Sequence, residues 1–333
     1  MLKGFKSGAL FIGTVIGAGF ASGREIALFF NGKSSATALL AGLFLGAMCY
    51  VFMTAGRLCG QRDLNGWLFG RKAGKVFRVI MYFSTISVFI AMFCGAELVI
   101  YQTFNLKYFG LITTAVCIIC AVFGLENVKT VNAVIVPAIV VLIALIFFRG
   151  ESFYTGGSLG LSAPSAYCAM NMLPAGYVMA EAGKTSRNRE IISASVFSGI
   201  IFAVMLYMIR TGVSGREDQA MPLFEAARAY GLETFGGLLI YSAVFTTQLS
   251  AVNVLMASPL AKKNRIAGAL ALLAGGMISS AIFTFQTAVD TLYPPVSFFG
   301  VVLTLAGTIK IIVLKYGTAS GRELPMRARP ISQ

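Results

Sequence analysis

Long apolar segments separated by short polar connections repeat along the chain at intervals of about thirty residues. Each segment is close to the roughly 20 residues that an α-helix needs to cross the hydrocarbon core of a bilayer. The pattern predicts an all-α integral membrane protein with ten transmembrane helices, near residues 5–30, 36–58, 77–101, 108–124, 130–148, 161–182, 190–210, 232–257, 266–284 and 290–314.

Composition agrees with this interpretation, because 57% of the 333 residues are hydrophobic, 12% are charged and the mean hydropathy is +0.80. The net charge of +14 does not indicate nucleic-acid binding, since the basic residues lie in short connections and not on one polar face. We therefore expect a lipid bilayer as the environment and no nucleic-acid partner.

The distribution of basic residues predicts the orientation. With the N-terminus placed in the cytoplasm, twenty Lys and Arg fall on the cytoplasmic side and seven on the other. Basic loops stay inside, so this asymmetry favours a multi-pass protein of the cell membrane with both termini cytoplasmic.

Catalysis is not expected of this chain. It contains no histidine, which excludes histidine-based triads and zinc motifs. Its six cysteines lie in or at the edge of apolar segments, without the spacing of a disulfide framework or a zinc site. The sequence predicts a protein that is not an enzyme.

The first span is unusual, since four of the eleven residues from Gly13 to Gly23 are glycine. Glycine lets the backbone leave the helix, and non-helical backbone at membrane depth is tolerated only inside protein or beside a water-filled cavity. Glycines four apart also suit close helix packing. We expect a broken helix whose exposed backbone groups form a binding site.

Span six contains Pro174 and Gly176 in an apolar run, which predicts an interruption around Met170 to Asn171, although a single proline commonly makes only a kink. Matching breaks in spans one and six divide the chain into two inverted repeats. The predicted units are a first repeat at 1–150, a second at 151–318 and a cytoplasmic tail at 319–333.

The segment GTVIGAGFASGREIALFF resembles the first span of the YkvI-like family of bacterial membrane proteins, which are similar to the amino acid-polyamine-organocation superfamily. The resemblance extends over the whole chain in span number and loop sizes, and GAGFASG with the following Glu25 is its specific part. It implies the LeuT-type fold of five plus five helices, with spans one and six discontinuous.

The same resemblance implies a sodium site between spans one and eight. The ligands would be the main-chain carbonyls and hydroxyls of Gly13, Ile16, Ala243, Thr246 and Thr247. Oxygen-only ligation suits a hard cation such as Na⁺ as coupling ion. Two alternatives stay open: threonines in membrane helices often bond their own preceding turn, and proton-coupled relatives lack the full set.

Solute binding is expected at the two facing breaks, with two aromatic side chains as walls. The candidate substrate-binding residues are Gly17, Ala18, Gly19, Phe20, Phe93, Asn171, Met172, Pro174 and Tyr241. Phe20 replaces a polar ligand position of the amino-acid symporter pattern, so recognition of an amino-acid carboxylate is not implied.

Three charged residues lie at membrane depth and are candidates for gating or proton coupling: Arg24, Glu25 and Glu97. Arg24 and Glu25 follow the first break and either gate the outer entrance or snorkel to water. Glu97 is a proton carrier, a partner of Arg24, a determinant for cationic solutes, or a surface carboxylate. An amphipathic segment from Ala220 to Tyr230 is predicted to lie along the membrane as an outer lid.

The predicted function is secondary active transport of a small organic solute, an amino acid or related amine, by alternating access coupled to sodium or protons. The alternative is a ligand-sensing receptor subunit of the same fold that does not transport. The sequence leaves homo-oligomerisation open.

Overall fold

The computed structural model of the protein describes residues 2–150, 156–219, 221–292 and 294–316. Within these ranges the chain is helical, with no strand beyond an isolated bridge between Lys33 and Ser158. The predicted tail at 319–333 lies outside the described residues. The expected all-α class is confirmed.

Seven helices form the first half: α1 (Leu2–Val15), α2 (Ala18–Ala21), α3 (Arg24–Phe30), α4 (Ser35–Cys59), α5 (Leu64–Phe104), α6 (Phe109–Val122) and α7 (Leu125–Arg149). Eight follow: α8 (Ser162–Lys184), α9 (Asn188–Gly212), α10 (Pro222–Ala229), α11 (Glu233–Met256), α12 (Pro259–Lys263), α13 (Arg265–Ile282), α14 (Phe285–Leu292) and α15 (Pro294–Tyr316).

Six of the described helices are long and apolar enough to cross a membrane: α4, α5, α7, α9, α11 and α13. This confirms a multi-pass membrane protein. The other crossings expected from the sequence correspond to the interrupted α1–α3, to α6, to α8 and to α15, which are shorter, broken or more polar.

Small residues bring the helix backbones of the core close together. A Cβ added to Gly56 of α4 would lie 1.8 Å from the carbonyl oxygen of Ala180 in α8. A Cβ on Gly42 would lie 2.1 Å from the backbone nitrogen of Ala203 in α9. In lipid, where no hydrophobic drive pulls helices together, such close contact supplies the packing energy. α4 therefore packs closely against α8 and against α9, beside α1.

The predicted break in span one is confirmed, and it is double. α1 ends at Val15 and α2 begins at Ala18, with Gly17 extended at φ −92° and ψ −172°. A second interruption separates α2 from α3 at Gly23, whose φ of +81° is left-handed. A side chain at Gly23 would also lie 2.5 Å from Val213. Glycine is required there by conformation and by space.

The predicted discontinuity of span six is wrong. α8 runs without interruption from Ser162 to Lys184, with Pro174 inside it. A proline removes one hydrogen bond but need not end a helix when neighbouring helices hold the flanking turns. Because Pro174 has no N–H, the carbonyl of Met170 receives no hydrogen bond from it. This is the one helical hydrogen bond that the proline removes from α8.

The amphipathic segment expected from Ala220 to Tyr230 is found as α10, although residue 220 itself lies outside the described part of the chain. Its apolar side, which includes Leu223, Phe224 and Ala227, is buried against the body of the protein. The helix covers the second interruption of span one, and this position decides how the site is closed.

Candidate functional site

The first break leaves backbone carbonyls without their helical donors. The N–H of Gly17 turns to the carbonyl of Val15 at 2.9 Å and does not donate to Gly13 four residues back. The carbonyl of Ile16 faces the gap between α1 and α2. Unpaired carbonyls inside a membrane protein require another partner, and the structure supplies one from a different helix.

That partner is Thr247 of α11. Its hydroxyl oxygen lies 2.8 Å from the Ile16 carbonyl oxygen and 3.0 Å from the Gly13 carbonyl oxygen. A threonine hydroxyl has one hydrogen to donate, so it can satisfy one of these two carbonyls at a time. The site therefore holds more oxygen acceptors than donors.

A further acceptor lies beside Gly13. The Oδ1 atom of Asn132 in α7 is buried without a hydrogen-bond partner, and a Cβ on Gly13 would collide with it. Only glycine lets this amide approach the α1 backbone. Thr246 lies across from Gly13 but donates to the carbonyl of Ala243 in its own helix, at 3.1 Å.

A small cavity of about 30 Å³ lies at the break. Its lining comes from α1, the α1–α2 break, α3, α5, α8 and α11: Thr14, Val15, Gly17, Glu25, Ser84, Ser87, Val88, Met170, Asn171, Pro174 and Thr247. By volume it holds about two waters. We call it the central cavity.

Two groups of the central cavity lack partners. Glu25 is 5% exposed and its Oε2 atom makes no hydrogen bond, and the Oγ of Ser84 is likewise buried and unpaired. The Glu25 carboxyl group lies against Gly19, where a Cβ would come within 2.3 Å of Oε1. None of the lining side chains is basic. The cavity therefore has one acidic group with no positive charge beside it.

On one side, the central cavity shares lining residues with a smaller cavity. Thr14, Val88, Pro174 and Thr247 also border a smaller cavity of about 10 Å³. That cavity shares Val178 and Val254 with a vestibule of about 720 Å³. The vestibule is lined by residues of the basic connections, among them Lys184, Lys262 and Arg265. This is the side predicted to be cytoplasmic.

The opposite side is closed by α10 and the turns before it. The N–H of Leu223 donates to the carbonyl of Ser22 at 2.8 Å. Arg24 reaches the carbonyls of Glu217 and Gln219, at 3.4 Å each. The carboxylate of Glu217 also pairs with buried Arg210 at 3.1 Å. These contacts hold the lid on the second interruption of span one.

Of the candidate substrate-binding residues, Gly17, Asn171 and Pro174 border the central cavity. The others lie elsewhere. Phe20 packs edge-on against Phe202 with ring centroids 6.2 Å apart, and Tyr241 shares a hydrogen bond of 3.1 Å with Thr113.

Three further candidates are buried between helices. Phe93 packs under Gly110 and Gly276, and Ala18 lies against Gly95. Met172 is fully buried and does not border the cavity, unlike Met170. Sequence spacing located the break correctly but could not say which side chains turn toward it.

Glu97 caps a helix. Its two carboxylate oxygens accept the N–H groups of Tyr108 and Gly110 at 2.6 and 2.7 Å, at the N-terminus of α6. A carboxylate is favourable there because it meets free N–H groups and the positive end of the helix dipole. Glu97 does not pair with Arg24, whose guanidinium reaches the carbonyls of Glu217 and Gln219.

Sequence reasoning missed Ser84 and Ser87 of α5 and Asn132 of α7, and it named Met170 of α8 only as the place of an interruption. The signal for the serines was present, because Ser84, Thr85 and Ser87 form a hydroxyl cluster inside an otherwise apolar span. Thr85 bonds the Met81 carbonyl of its own helix, as such residues usually do. Ser84 does not, and only the structure shows this.

Comparison with known proteins finds two relatives by sequence and a solved structure with a similar fold. The chain is 29% identical over 220 residues to YyaD of Bacillus subtilis, a match that covers 62% of this chain and 64% of that protein. It is 27% identical over 267 residues to the membrane protein YkvI of the same organism, covering 72% and 76% respectively. The chain thus spans less than two thirds of the length of YyaD. No family model matches.

A crystal structure of a histidine mutant of the Eremococcus coleocola manganese transporter superposes with a TM-score of 0.53 at 12% identity, over 96% of this chain and 88% of that one. A glutamate mutant of the same protein gives 0.50. The protein therefore shares its fold with a membrane transporter. The resemblance to YkvI-like proteins is confirmed by the two homologues.

Proposed function

We propose that this chain, a homologue of the YkvI and YyaD membrane proteins, is a secondary active transporter that moves a small organic solute by alternating access. The observation that carries the proposal is the broken first span. Its gap borders a small cavity that shares lining residues, by way of a second cavity, with a vestibule on one side, and a lid covers the other side. A site at membrane depth with access from one side fits a carrier better than a continuous pore.

The proposed architecture is the LeuT-type arrangement in the cell membrane, with ten spans and both termini cytoplasmic. The first repeat comprises α1–α7 and the second begins with α8. In this proposal span one carries a full break, and span six contributes the carbonyl of Met170, which Pro174 leaves without a donor.

Sodium is the proposed coupling ion, held by Gly13, Ile16, Ala243, Thr246 and Thr247. The fit rests on the surplus of acceptors, since the Thr247 hydroxyl lies within 3.0 Å of two carbonyls and can donate to one. Asn132 adds an unpaired oxygen beside Gly13. A hard monovalent cation supplies the positive charge that such a cluster of oxygens needs.

The solute is proposed to carry a protonated amine, bound at Glu25. An ammonium group donates up to three hydrogen bonds. The central cavity offers the unpaired Oε2 of Glu25 and the Oγ of Ser84, and Met170, whose carbonyl receives no hydrogen bond from Pro174, also borders it. A carboxylate would meet no basic side chain there, and α2, with four residues, brings little helix dipole to attract one. Amines are therefore preferred over amino acids.

The proposal is tested by uptake into proteoliposomes under an inward sodium gradient, a proton gradient or neither. The solute panel holds small amines, amino acids and Mn²⁺, the last because the fold is shared with a manganese transporter. We expect sodium-driven amine uptake that is lost in Glu25→Gln, a change that keeps shape and removes charge. Glu233→Gln is the matched control and should transport normally, because this carboxylate is half-exposed and its partner Arg228 keeps its pair with Glu225.

Two outcomes overturn the proposal. Solute binding with no flux under any gradient would assign the protein to the alternative class of ligand sensors. Uptake of Mn²⁺ and of no organic solute would show that the cavity serves a metal.

A further inference from the structure

A second concave surface lies on the outside of the helix bundle, away from the central cavity. It is a groove of about 420 Å³ between α5, the end of α11, α12 and α13, lined almost entirely by apolar side chains. Ile86 and Phe89 form one wall, and Ala271 and Gly275 form the other. We call it the α13 groove.

The α13 groove faces the membrane. α13 is apolar along its length, and only 11% of its most apolar stretch is buried inside the protein. Ile266, Leu270 and Ile278 are more than half exposed. In a span of this composition the exposed surface is covered by lipid. A hollow in such a surface must also be filled, because an empty apolar space forfeits dispersion contacts on every wall.

The dimensions of the groove match one lipid leaflet. It extends along α13 from Ala267 to Ser279, a rise of about 18 Å at roughly 1.5 Å per residue. The hydrocarbon core is about 30 Å thick, so one leaflet is about 15 Å deep. Small residues of α13 leave the groove open along its length. A Cβ on Gly275 would meet nothing within 4 Å.

The chain that follows the α12 end of the groove is strongly basic. Leu260 and Ala261 of α12 line it, and Lys262, Lys263 and Arg265 follow directly in the chain. All three basic residues are exposed, and none forms an ion pair within the part of the chain that the structure describes. No acidic residue occurs between positions 257 and 265. Lys262 and Arg265 border the vestibule and stand next to the groove's lining residues in the chain, without lining the groove themselves.

We propose that the α13 groove is a binding site for an anionic phospholipid of the cytoplasmic leaflet, with an acyl chain between α5 and α13 and the phosphate at Lys262, Lys263 and Arg265. The apolar groove fits any acyl chain, and the charge selects the head group. A basic residue near an anionic membrane surface strengthens binding by about fivefold. The head group then lies at the mouth of the vestibule.

The test uses full-length protein purified in detergent and stripped of lipid. Native mass spectrometry and thermal unfolding are recorded with phosphatidylglycerol, phosphatidylcholine or neither. We expect retention of one phosphatidylglycerol and a rise in Tm that phosphatidylcholine does not produce. The triple variant Lys262→Gln, Lys263→Gln, Arg265→Gln should bind phosphatidylglycerol at least tenfold more weakly. Lys72→Gln, an exposed basic residue away from the groove, is the control.

A second variant tests the groove itself. A Cβ on Gly275 meets nothing within 4 Å, so Gly275→Leu should fold and yet retain less phosphatidylglycerol than the wild type. Equal retention of both lipids would overturn the head-group assignment, and unchanged retention in Gly275→Leu would overturn the groove. A stable dimer that dissociates in Gly275→Leu would show that a second copy of the chain, and not a lipid, occupies this surface.

Discussion

The hydroxyl of Thr247 links α11 to the break in α1, and its removal is the sharpest perturbation of the proposed ion site. Thr247→Val keeps the shape of the side chain and removes the group that lies 2.8 Å from Ile16 and 3.0 Å from Gly13. One hydrogen bond is lost and a buried carbonyl is left without a donor. We expect the free energy of unfolding to fall by about 1–3 kcal/mol in the absence of sodium.

The effect in sodium should be larger. A ligand that binds only the folded protein stabilises it by about 2.7 kcal/mol at one hundred times its Kd. Wild-type protein in detergent should therefore unfold at a higher temperature in NaCl than in KCl of equal ionic strength. Thr247→Val should unfold at a lower temperature in both salts, and the difference between the salts should disappear.

Thr308→Val is the matched control, because the Thr308 hydroxyl bonds only the Thr304 carbonyl of its own helix. It should keep the full difference between sodium and potassium. If wild-type protein shows no such difference, or if Thr247→Val keeps it, the assignment of a sodium site to this cluster of oxygens is wrong. If sodium stabilises the protein but does not change uptake, the site binds the ion without coupling it to transport.

Three other substitutions test separate parts of the structure. Glu97→Gln weakens the cap of α6 and should lower the free energy of unfolding by about 1 kcal/mol, with uptake per folded protein unchanged; a loss of uptake at normal stability would make Glu97 a transport residue. Gly56→Ala places a methyl group against the Ala180 carbonyl and should destabilise by about 1–3 kcal/mol in thermal unfolding, whereas an unchanged Tm would contradict the close α4–α8 packing. Glu217→Gln breaks the pair with Arg210 and should raise the rate at which an external thiol reagent reaches a cysteine placed in the central cavity; an unchanged rate would show that this pair does not hold the lid.

The membrane class and the position of the first break could be predicted from sequence, because both depend on local composition. Twenty apolar residues have few alternatives to crossing the bilayer, and two of the four glycines from Gly13 to Gly23, Gly17 and Gly23, lie at the interruptions. The helix α10 was also predictable, since its amphipathic pattern is local.

The course of span six and the contents of the cavity could not be predicted in the same way. Whether Pro174 ends a helix or is carried within one depends on what packs around it, and this is a tertiary property. Ser84 and Thr85 are adjacent hydroxyls in one apolar span, yet Thr85 bonds its own helix and Ser84 is left unpaired. Glu97 has apolar neighbours in sequence, and its role as a cap depends on the turn before α6.

The central claim is that the gap in span one forms a solute site reached from one side at a time. The direct measurement is labelling of Asn171→Cys, in a background free of the six native cysteines, by a membrane-impermeant thiol reagent added to right-side-out or inside-out vesicles. The account predicts rapid labelling from the vestibule side, slow labelling from the lid side, and protection when a transported amine is present. Equal labelling from both sides, unaffected by any solute, would contradict it.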